Sequence, residues 1–600
     1  MDDPETHDGE PVTSDSQRSA ESTPASEPRG VSIAIWLLIT LHAALGWHTA
    51  FSKSVTHDEL WHLPAGLRNL QYNRFDFEVL NPPLTRMWAA APLRVAGVKT
   101  DAADSGPQIG IRFIDEHPAQ FQSLYNRGRL FNLVFSVLTA VILARWSRDL
   151  FGDGGALLAV LLYGTCPNIL AHSALVTPDA GLMLAFLATL YTFWVWSRRR
   201  TWGLSIVLGL LLGLAQAAKF TALLLYPILL VLWGLFTAGD QRQSEAEPRM
   251  RRPARFWQLP AAFLVSLIVL NAAYQFHGSF RALDSYRFTS SAMQSVATRL
   301  AALPGLPLPF PEDYLIGIDA QRKIMESPHP VFLDGTWNVV GFPDYYPRTL
   351  LYKLPHPLQA CFAVGLILCL IRPAGAMTRR TLVLLLLPVL LLLGIAATTA
   401  MQLGVRYVLP LLPLIILISA RAGLIWNRTP PAVRRTMALV MALICLTSLR
   451  HHPHHLAYFN EYAGGPSGGR QHLLDSNIDW GQDLHLVRDF MNEHQLDEIN
   501  LAYFGTLPPD ALGITYTVPP PLTRESALAW SLPPGWYAVS INFVMGRPHL
   551  VRQPDGSASP VDINAFAYFQ SLEPVARLGY SIDVYHVTAE QSDQLTQRIR

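Results

Sequence analysis

Two adjacent carboxylates, Asp58 and Glu59, follow the first long apolar run of the chain. A carboxylate at a membrane surface can take the proton from a hydroxyl group as that group attacks a substrate. The competing interpretation is structural, because Thr56 or Asp58 could cap a short helix by accepting its free N–H groups. The pair is therefore a candidate acid/base site, with helix capping as the alternative.

Charged side chains at the ends of other apolar runs favour a functional site. Such charges are costly near a bilayer unless they are paired or functional. They are Arg127, Arg129, Asp179, Lys219 and Arg406. Each alone could be a snorkelling or interfacial side chain. Several on one face, carboxylates together with cations, are better explained by a shared pocket that binds an anion and transfers a proton.

The elements that must position these residues are apolar helices. Half of the 600 residues are hydrophobic and only 15% are charged, which excludes an ordinary soluble enzyme. We predict an α-helical polytopic membrane protein with about eleven transmembrane helices. Their approximate positions are 31–51, 130–145, 155–172, 179–196, 203–218, 220–237, 257–276, 357–372, 381–400, 407–425 and 436–450.

The arginines predict how these helices are oriented. Short cytoplasmic loops collect Lys and Arg, and every loop that lies inside when the N-terminus is cytoplasmic is basic. The arginines in question are Arg145, Arg148, Arg198 to Arg200, Arg249, Arg251, Arg252, Arg255, Arg372, Arg379, Arg380, Arg428, Arg434 and Arg435. The larger loops at about 52–125 and 277–355 then lie outside, together with the C-terminal region.

Three parts of the chain follow from this division. Residues 1–30 are rich in Ser, Pro and acidic residues and predict a disordered cytoplasmic tail. Residues 31–450 form the transmembrane catalytic domain, and residues 451–600 form a small external α/β domain. The α/β prediction rests on a helical face at Trp480, Leu484, Val487 and Met491 and on strands at 499–504, 536–544 and 580–587.

One segment superficially resembles a calcium-binding loop. Asp475, Asn477 and Asp479 occupy its first, third and fifth places, but Trp480 replaces the required Gly and Leu486 the required Glu. We predict instead that Asp479 caps a helix beginning at Trp480.

The sequence predicts neither a metal site nor a cofactor. Four histidines could hold a transition metal, but Pro453 interrupts their spacing and no cysteine is near. They are His451, His452, His454 and His455. Nucleic acid is excluded as a partner because the chain has no basic stripe with interleaved aromatic residues.

These motifs resemble the GT-C superfamily of membrane glycosyltransferases, specifically family 39, which includes protein O-mannosyltransferases and the lipid A aminoarabinose transferase. The similar segments are Asp58-Glu59, Asn81-Pro82-Pro83-Leu84, Thr177-Pro178-Asp179, Ala218-Lys219-Phe220-Thr221-Ala222 and Val405-Arg406-Tyr407-Val408-Leu409-Pro410. The segments Tyr345-Tyr346-Pro347 and Asp475-Ser476-Asn477-Ile478-Asp479-Trp480-Gly481-Gln482-Asp483 look like those of uncharacterised bacterial members. The resemblance implies a GT-C fold.

One departure from the family pattern concerns the lipid phosphate. The lipid A aminoarabinose transferase has a lysine just before Pro-Pro that holds the phosphate, whereas this chain has Asn81. Phosphate contact must then come from elsewhere, and the available cations are Arg129, Lys219 and Arg406.

The resemblance implies a polyprenyl-phosphate-linked sugar as donor and a protein, lipid or glycan hydroxyl as acceptor, in a multi-pass protein of the bacterial inner membrane. Asp58 would be the general base, and Glu59 would orient Asp58 or the acceptor. Asp179 would bind sugar hydroxyls or position the acceptor, and His57 and Asn81 would contact substrate. Transfer would invert the anomeric carbon on the periplasmic face.

Two other function classes remain open from sequence. A transporter or flippase of polyprenyl-linked sugars should show inverted repeats or charges near midmembrane, whereas here the charges lie at one face. A non-catalytic scaffold would not explain why carboxylates and cations collect at the ends of spans.

Overall fold

The computed structural model describes residues 29–102, 106–246, 256–373, 375–447, 449–524 and 529–599. The predicted N-terminal tail, apart from its last two residues, lies outside the described residues. The same is true of the arginines between 249 and 255.

Helices dominate the chain up to residue 447, and we number them in chain order. They are α1 (Arg29–Phe51), α2 (Glu59–Tyr72), α3 (Leu84–Val95), α4 (Gln108–Glu116), α5 (Phe121–Gly164), α6 (Pro167–Ser173), α7 (Pro178–Arg198), α8 (Trp202–Ala218), α9 (Leu225–Ala246), α10 (Gln258–Ala273), α11 (Ser291–Arg299), α12 (Glu312–Glu326), α13 (Tyr345–Lys353), α14 (His356–Ile371), α15 (Arg379–Ala396), α16 (Leu412–Ser419) and α17 (Pro431–Thr447). A two-stranded antiparallel ribbon, β1 (Val331–Leu333) and β2 (Thr336–Asn338), lies between α12 and α13.

Apolar helical structure coincides with each of the eleven predicted spans. In the part of the chain that the structure describes, five helices are long and apolar enough to cross a membrane. They are Gly30–Phe51, Phe121–Gly164, Pro178–Arg198, Phe220–Ala238 and Arg379–Ala396. Shorter apolar helices occupy Trp202–Ala218, Gln258–Ala273 and Leu409–Leu424. The predicted helical membrane architecture is confirmed.

Breaks between helices place charged residues at helix ends. The helix α5 covers two predicted spans, and Gly152, at φ 72°, interrupts the helical geometry between them. Lys219 is extended at the end of α8, and a 3-10 turn over Phe220–Leu224 leads into α9. Asp179 lies in the first turn of α7, just after the non-helical Thr177.

The C-terminal region is a small α/β unit, as predicted. Its helices and strands are α18 (Gly465–Gly469), α19 (Leu484–Glu493), β3 (Ile499–Ala502), β4 (Tyr516–Thr517), β5 (Gly535–Ser540), α20 (Ile541–Val544), β6 (His549–Arg552), β7 (Ala558–Val561), β8 (Ala576–Leu578), β9 (Ile582–Val587) and α21 (Ala589–Ile599). A five-stranded sheet has the order β4-β3-β5-β9-β8, with β3 parallel to β4 and β5 and with β9 antiparallel to its neighbours. The strands β6 and β7 pair separately.

Two sequence predictions in this region are wrong. The helix begins at Leu484, so Trp480 is not on its face and Asp479 does not cap it. Asp479 instead accepts a hydrogen bond from the Gly481 N–H at 2.9 Å and bonds to the Ser540 hydroxyl. The predicted strand 536–544 ends at Ser540, whose side chain caps the short helix that follows.

Candidate active site

A cavity of about 480 Å³ opens at one end of the apolar helices. Its walls come from the segment after α1, the start of α7, the α8–α9 break, α12 and the C-terminal unit. Of the eight residues predicted to form the site, six line it: His57, Asp58, Asn81, Asp179, Lys219 and Arg406.

Asp58 faces the cavity and pairs with Arg406. The Arg406 guanidinium donates to Asp58 Oδ2 at 2.7 Å, and the two side chains remain 11% and 19% exposed, respectively. Although Asp58 stands at the N-cap position of α2, its side chain makes no capping hydrogen bond. Burial raises the pKa of Asp58, but the charge and hydrogen bond of Arg406, together with the nearby His62 and His57, outweigh burial and hold this pKa below its ordinary value. Helix capping therefore does not account for an aspartate at position 58.

Asp179 and Lys219 form the second ion pair of the cavity. Lys219 Nζ donates to Asp179 Oδ1 at 2.5 Å. Lys219 also lies over the ring of Tyr407, 5.1 Å from its centroid. The break between α8 and α9 is what brings this lysine back to the start of α7.

Glu59 and Arg129 lie outside the cavity, contrary to the sequence prediction. Both side chains are fully buried and form a two-point ion pair of 2.9 and 2.6 Å. The remaining Arg129 donors bond to the carbonyls of Ala50, Lys53 and Ser54. Their geometry stabilises the turn after α1 and leaves no atom of the pair to contact a substrate.

Asn81 lines the cavity on a loop that Glu78 and Arg86 hold in place. The Asn81 peptide N–H donates to Glu78 Oε1 at 3.2 Å, and Arg86 donates to the Asn81 carbonyl at 2.9 Å while pairing with Glu78. The sequence analysis did not single out Glu78 or Arg86, although their nearness to Pro82-Pro83 was a usable signal.

The C-terminal unit holds the backbone on one side of the Asp58–Arg406 pair. The His57 N–H donates to the Trp480 carbonyl at 2.9 Å, and the Ser54 N–H donates to the Gln482 carbonyl at 2.9 Å. Lys53 pairs with the buried Asp483 at 2.6 Å. Asp58 is thus positioned by residues more than four hundred places later in the chain.

The same C-terminal segment also positions Arg406. Asn477 Oδ1 accepts from the Val405 N–H at 3.1 Å, and the Ser476 hydroxyl donates to the Leu403 carbonyl at 2.6 Å. The Arg406 guanidinium lies 4.3 Å from the ring centroid of Trp480. The segment from 475 to 483, which resembled a calcium loop in sequence, therefore positions both members of the ion pair.

A third ion pair of the cavity was missed by sequence reasoning. Arg547 pairs with Asp475, and both side chains are almost fully buried. Asp475 is in the left-handed backbone region, at φ 62°, and its carboxylate accepts from the Ser476 N–H. His549 and Phe504 line the cavity beside them.

The four histidines that could have suggested a metal have separate partners: His451 contacts the Tyr580 hydroxyl, and His454 contacts Lys53. His452 lies 2.8 Å from His48 and 2.9 Å from His455, measured between ring nitrogens. Across the described ranges, no group of three or more His, Cys, Asp or Glu side chains is arranged to hold a metal ion.

Part of the chain is similar to a known protein family. Residues 121–248 match the family model described as dolichyl-phosphate-mannose-protein mannosyltransferase. The predicted resemblance to membrane glycosyltransferases is confirmed over this segment. The match covers α5 to α9 and so includes Asp179 and Lys219. No curated protein matches the chain significantly.

Solved structures of two kinds resemble the chain overall. ArnT from Cupriavidus metallidurans in the apo state is 12% identical, with 94% of this chain and 99% of that chain covered and a TM-score of 0.47. The same protein bound to undecaprenyl phosphate is 10% identical, with 93% of this chain and 98% of that chain covered and a TM-score of 0.46. The second kind is the oligosaccharyltransferase AglB from Archaeoglobus fulgidus, in complex with an inhibitory peptide and a dolichol-phosphate. It is 11% identical, with 92% of this chain and 75% of that chain covered and a TM-score of 0.47. Similarity at this level establishes no activity for this chain.

Proposed function

We propose that the chain transfers a sugar from a polyprenyl-phosphate-linked donor to an acceptor hydroxyl, with inversion, on the periplasmic face of a bacterial inner membrane. The observation that carries the proposal is the pairing of Asp58 with Arg406 and of Asp179 with Lys219 in one cavity at the ends of apolar helices. The family match over residues 121–248 supports the same class of reaction.

The cavity suits a phosphate joined to a long hydrocarbon. Lys219, at the end of α8, and Arg406 both line the cavity, and Leu392 and Ile395 of α15 contribute an apolar wall. Arg322 of α12 also lines the cavity and forms no ion pair with any carboxylate among the described residues. Lys219, Arg406 and Arg322 are thus available to bind the phosphate. In the lipid A aminoarabinose transferase that role belongs to a lysine at the position of Asn81.

A single displacement accounts for the chemistry. The acceptor oxygen forms a bond to the anomeric carbon, the bond from that carbon to the phosphate oxygen breaks, and polyprenyl phosphate leaves with the electron pair. Asp58 takes the acceptor proton, and the lowered pKa of Asp58 keeps it ionised for this role. Lys219 and Arg406 stabilise the charge that develops on the leaving phosphate.

The remaining lining residues bind and orient the substrates. Asp179, held by Lys219, can accept hydrogen bonds from sugar hydroxyls, and Asn81 can offer its amide to the same sugar. His57 stands beside Asp58 at the point where an acceptor would approach.

Lipid and envelope mass spectrometry tests the proposal. Cells without the gene should accumulate a polyprenyl-phosphate-linked sugar and lack that sugar in an envelope fraction, and an Asp58→Asn copy should not restore it. The purified wild-type chain should consume the accumulated lipid when an envelope extract of the deletion strain is added as the source of acceptor. A flippase would change the cellular pools without consuming the lipid in detergent, so that result would refute the glycosyltransferase.

A further inference from the structure

One end of the cavity is built by residues that the donor does not require. It comprises His57, Trp61, Asp475, Phe504, Arg547 and His549, all of which line the cavity, and we call it the outer subsite. Four of the six come from the C-terminal unit. His57 precedes Asp58 in the chain, so the outer subsite adjoins the proposed base.

Aromatic rings form a continuous wall in the outer subsite. The centroid of His57 lies 5.2 Å from that of Trp61 and 5.5 Å from that of His549. His549 in turn lies 4.6 Å from Phe504. The ring planes are inclined to one another by 80°, 47° and 38°, respectively, so the wall presents both ring faces and ring edges to whatever occupies the space beside Asp58.

Two imidazoles of this wall have free hydrogen-bonding capacity. Neither His57 nor His549 makes a side-chain hydrogen bond to another group within the described residues, and His57 Nδ1 is buried without a partner. Burial lowers the pKa of His57 and lowers that of His549 to about 3. Both rings are therefore neutral near pH 7, and each presents one donor and one acceptor nitrogen. Buried polar groups in folded proteins are usually paired, so a ligand is the natural partner.

The charges of the outer subsite cancel. Arg547 pairs with Asp475, and its other terminal nitrogen donates to the Pro330 carbonyl at 3.3 Å. The guanidinium also lies over the ring of Phe504, 5.4 Å from the centroid. The part of the cavity assigned to the donor phosphate has Arg322 in addition to its two ion pairs, whereas an anionic group in the outer subsite would meet no cation in excess of the carboxylate. Hydroxyl groups would find donors and acceptors of both kinds.

We propose that the outer subsite binds the acceptor and that this acceptor is an uncharged carbohydrate. The inference rests on the proposed function, because it names the molecule whose hydroxyl meets Asp58. Sugar rings present C–H faces that stack on aromatic rings, and their hydroxyls suit neutral imidazoles and an Arg–Asp pair. A Ser or Thr side chain of a polypeptide would bring one hydroxyl and no C–H face of comparable size for the rings to contact. A phospholipid headgroup would bring an uncompensated negative charge.

The test compares strains of the organism that encodes the chain. The chromosomal copy is deleted and replaced by the wild type, Arg547→Met, His549→Leu or Arg552→Met. Arg552 lies on the same strand as His549 but outside the cavity, so it is the matched control. Membrane lipids, envelope glycans and envelope polypeptides are analysed separately by mass spectrometry, and immunoblots of membranes show that each variant is present.

The expected result is a sugar on envelope glycans that depends on the wild-type chain. Loss of one charge-assisted contact should lower its amount by about 10- to 100-fold for Arg547→Met. His549→Leu should lower it as well, and Arg552→Met should not. If the dependent sugar sits on Ser or Thr of polypeptides, or on a phospholipid, the acceptor class is wrong although the transferase stands. Full modification of envelope glycans by both Arg547→Met and His549→Leu would refute the outer subsite. An unchanged pool of lipid-linked sugar in the deletion strain would refute the transferase itself.

Discussion

The two adjacent carboxylates should respond in opposite ways to neutral replacement. In Glu59, the two oxygens accept from the Thr56 N–H and hydroxyl, from the Val176 N–H and from two nitrogens of Arg129. Glutamine would turn an NH₂ group toward these donors and leave the buried Arg129 without a counter-charge. Removal of one partner from a buried pair costs about 3 to 5 kcal/mol.

We therefore expect Glu59→Gln to lower the free energy of unfolding by that amount. Asp58→Asn should cost less, because the side chains of Arg406 and Asp58 keep 11% and 19% of their surface exposed, whereas those of Arg129 and Glu59 are fully buried. Its effect should appear in catalysis instead, as a loss of about 10²- to 10⁴-fold in transfer rate.

Thermal unfolding followed by near-ultraviolet circular dichroism, with donor turnover measured on the same detergent-solubilised samples, separates these effects. The double variant Glu59→Gln/Arg129→Met removes both buried charges and should regain part of the stability that the single variant loses. If Glu59→Gln unfolds like the wild type but no longer consumes donor, the structural role assigned to Glu59 is wrong.

Three further predictions concern the donor, the topology and pH. Lys219→Met and Arg406→Met should each raise the KM for the lipid donor by about tenfold or more, because a phosphate contact is charge-assisted; an unchanged KM in both would remove them from the phosphate site. Alkaline phosphatase fused after Arg450 should be active, since that enzyme folds only outside the cytoplasm, and activity of a cytoplasmic reporter there would reverse the topology. Burial raises the pKa of Asp479 from 3.8 to about 8. The folded state thus holds this proton more tightly, and stability should fall as pH rises from about 4 to 8. Asp479→Asn should flatten that slope in thermal unfolding, and a slope equal to that of the wild type would contradict the assignment.

The helical part of the fold was predictable because length and hydropathy act locally. A run such as 179–196 is apolar on every side and long enough to span, so its helix follows from composition alone. Asp58, Asp179, Lys219 and Arg406 were found for a related reason. Each lies at the end of an apolar run, and the predicted topology brings those ends to one face.

The separate roles of Asp58 and Glu59 were not predictable. Successive residues at a helix start point about 100° apart, so one faces the cavity and the other faces Arg129. Sequence pattern does not fix which way the helix turns. Asp475 was noted only as part of a calcium-like segment, and its pairing with Arg547 was missed because the two residues meet only through the tertiary fold of the C-terminal unit.

The Lys53–Asp483 pair joins the C-terminal unit to the loop that carries Asp58. Lys53 Nζ also lies 2.6 Å from His454 Nδ1, and Asp483 Oδ2 accepts a hydrogen bond from the Ser581 hydroxyl at 2.7 Å. A chain cut near residue 450 would expose the lysine and release the strand-like backbone bonds at Ser54 and His57. Ordering of the first loop and folding of the last 150 residues are thus one cooperative event. Domain exchange between homologues would succeed only if the loop and its distant anchor were moved together.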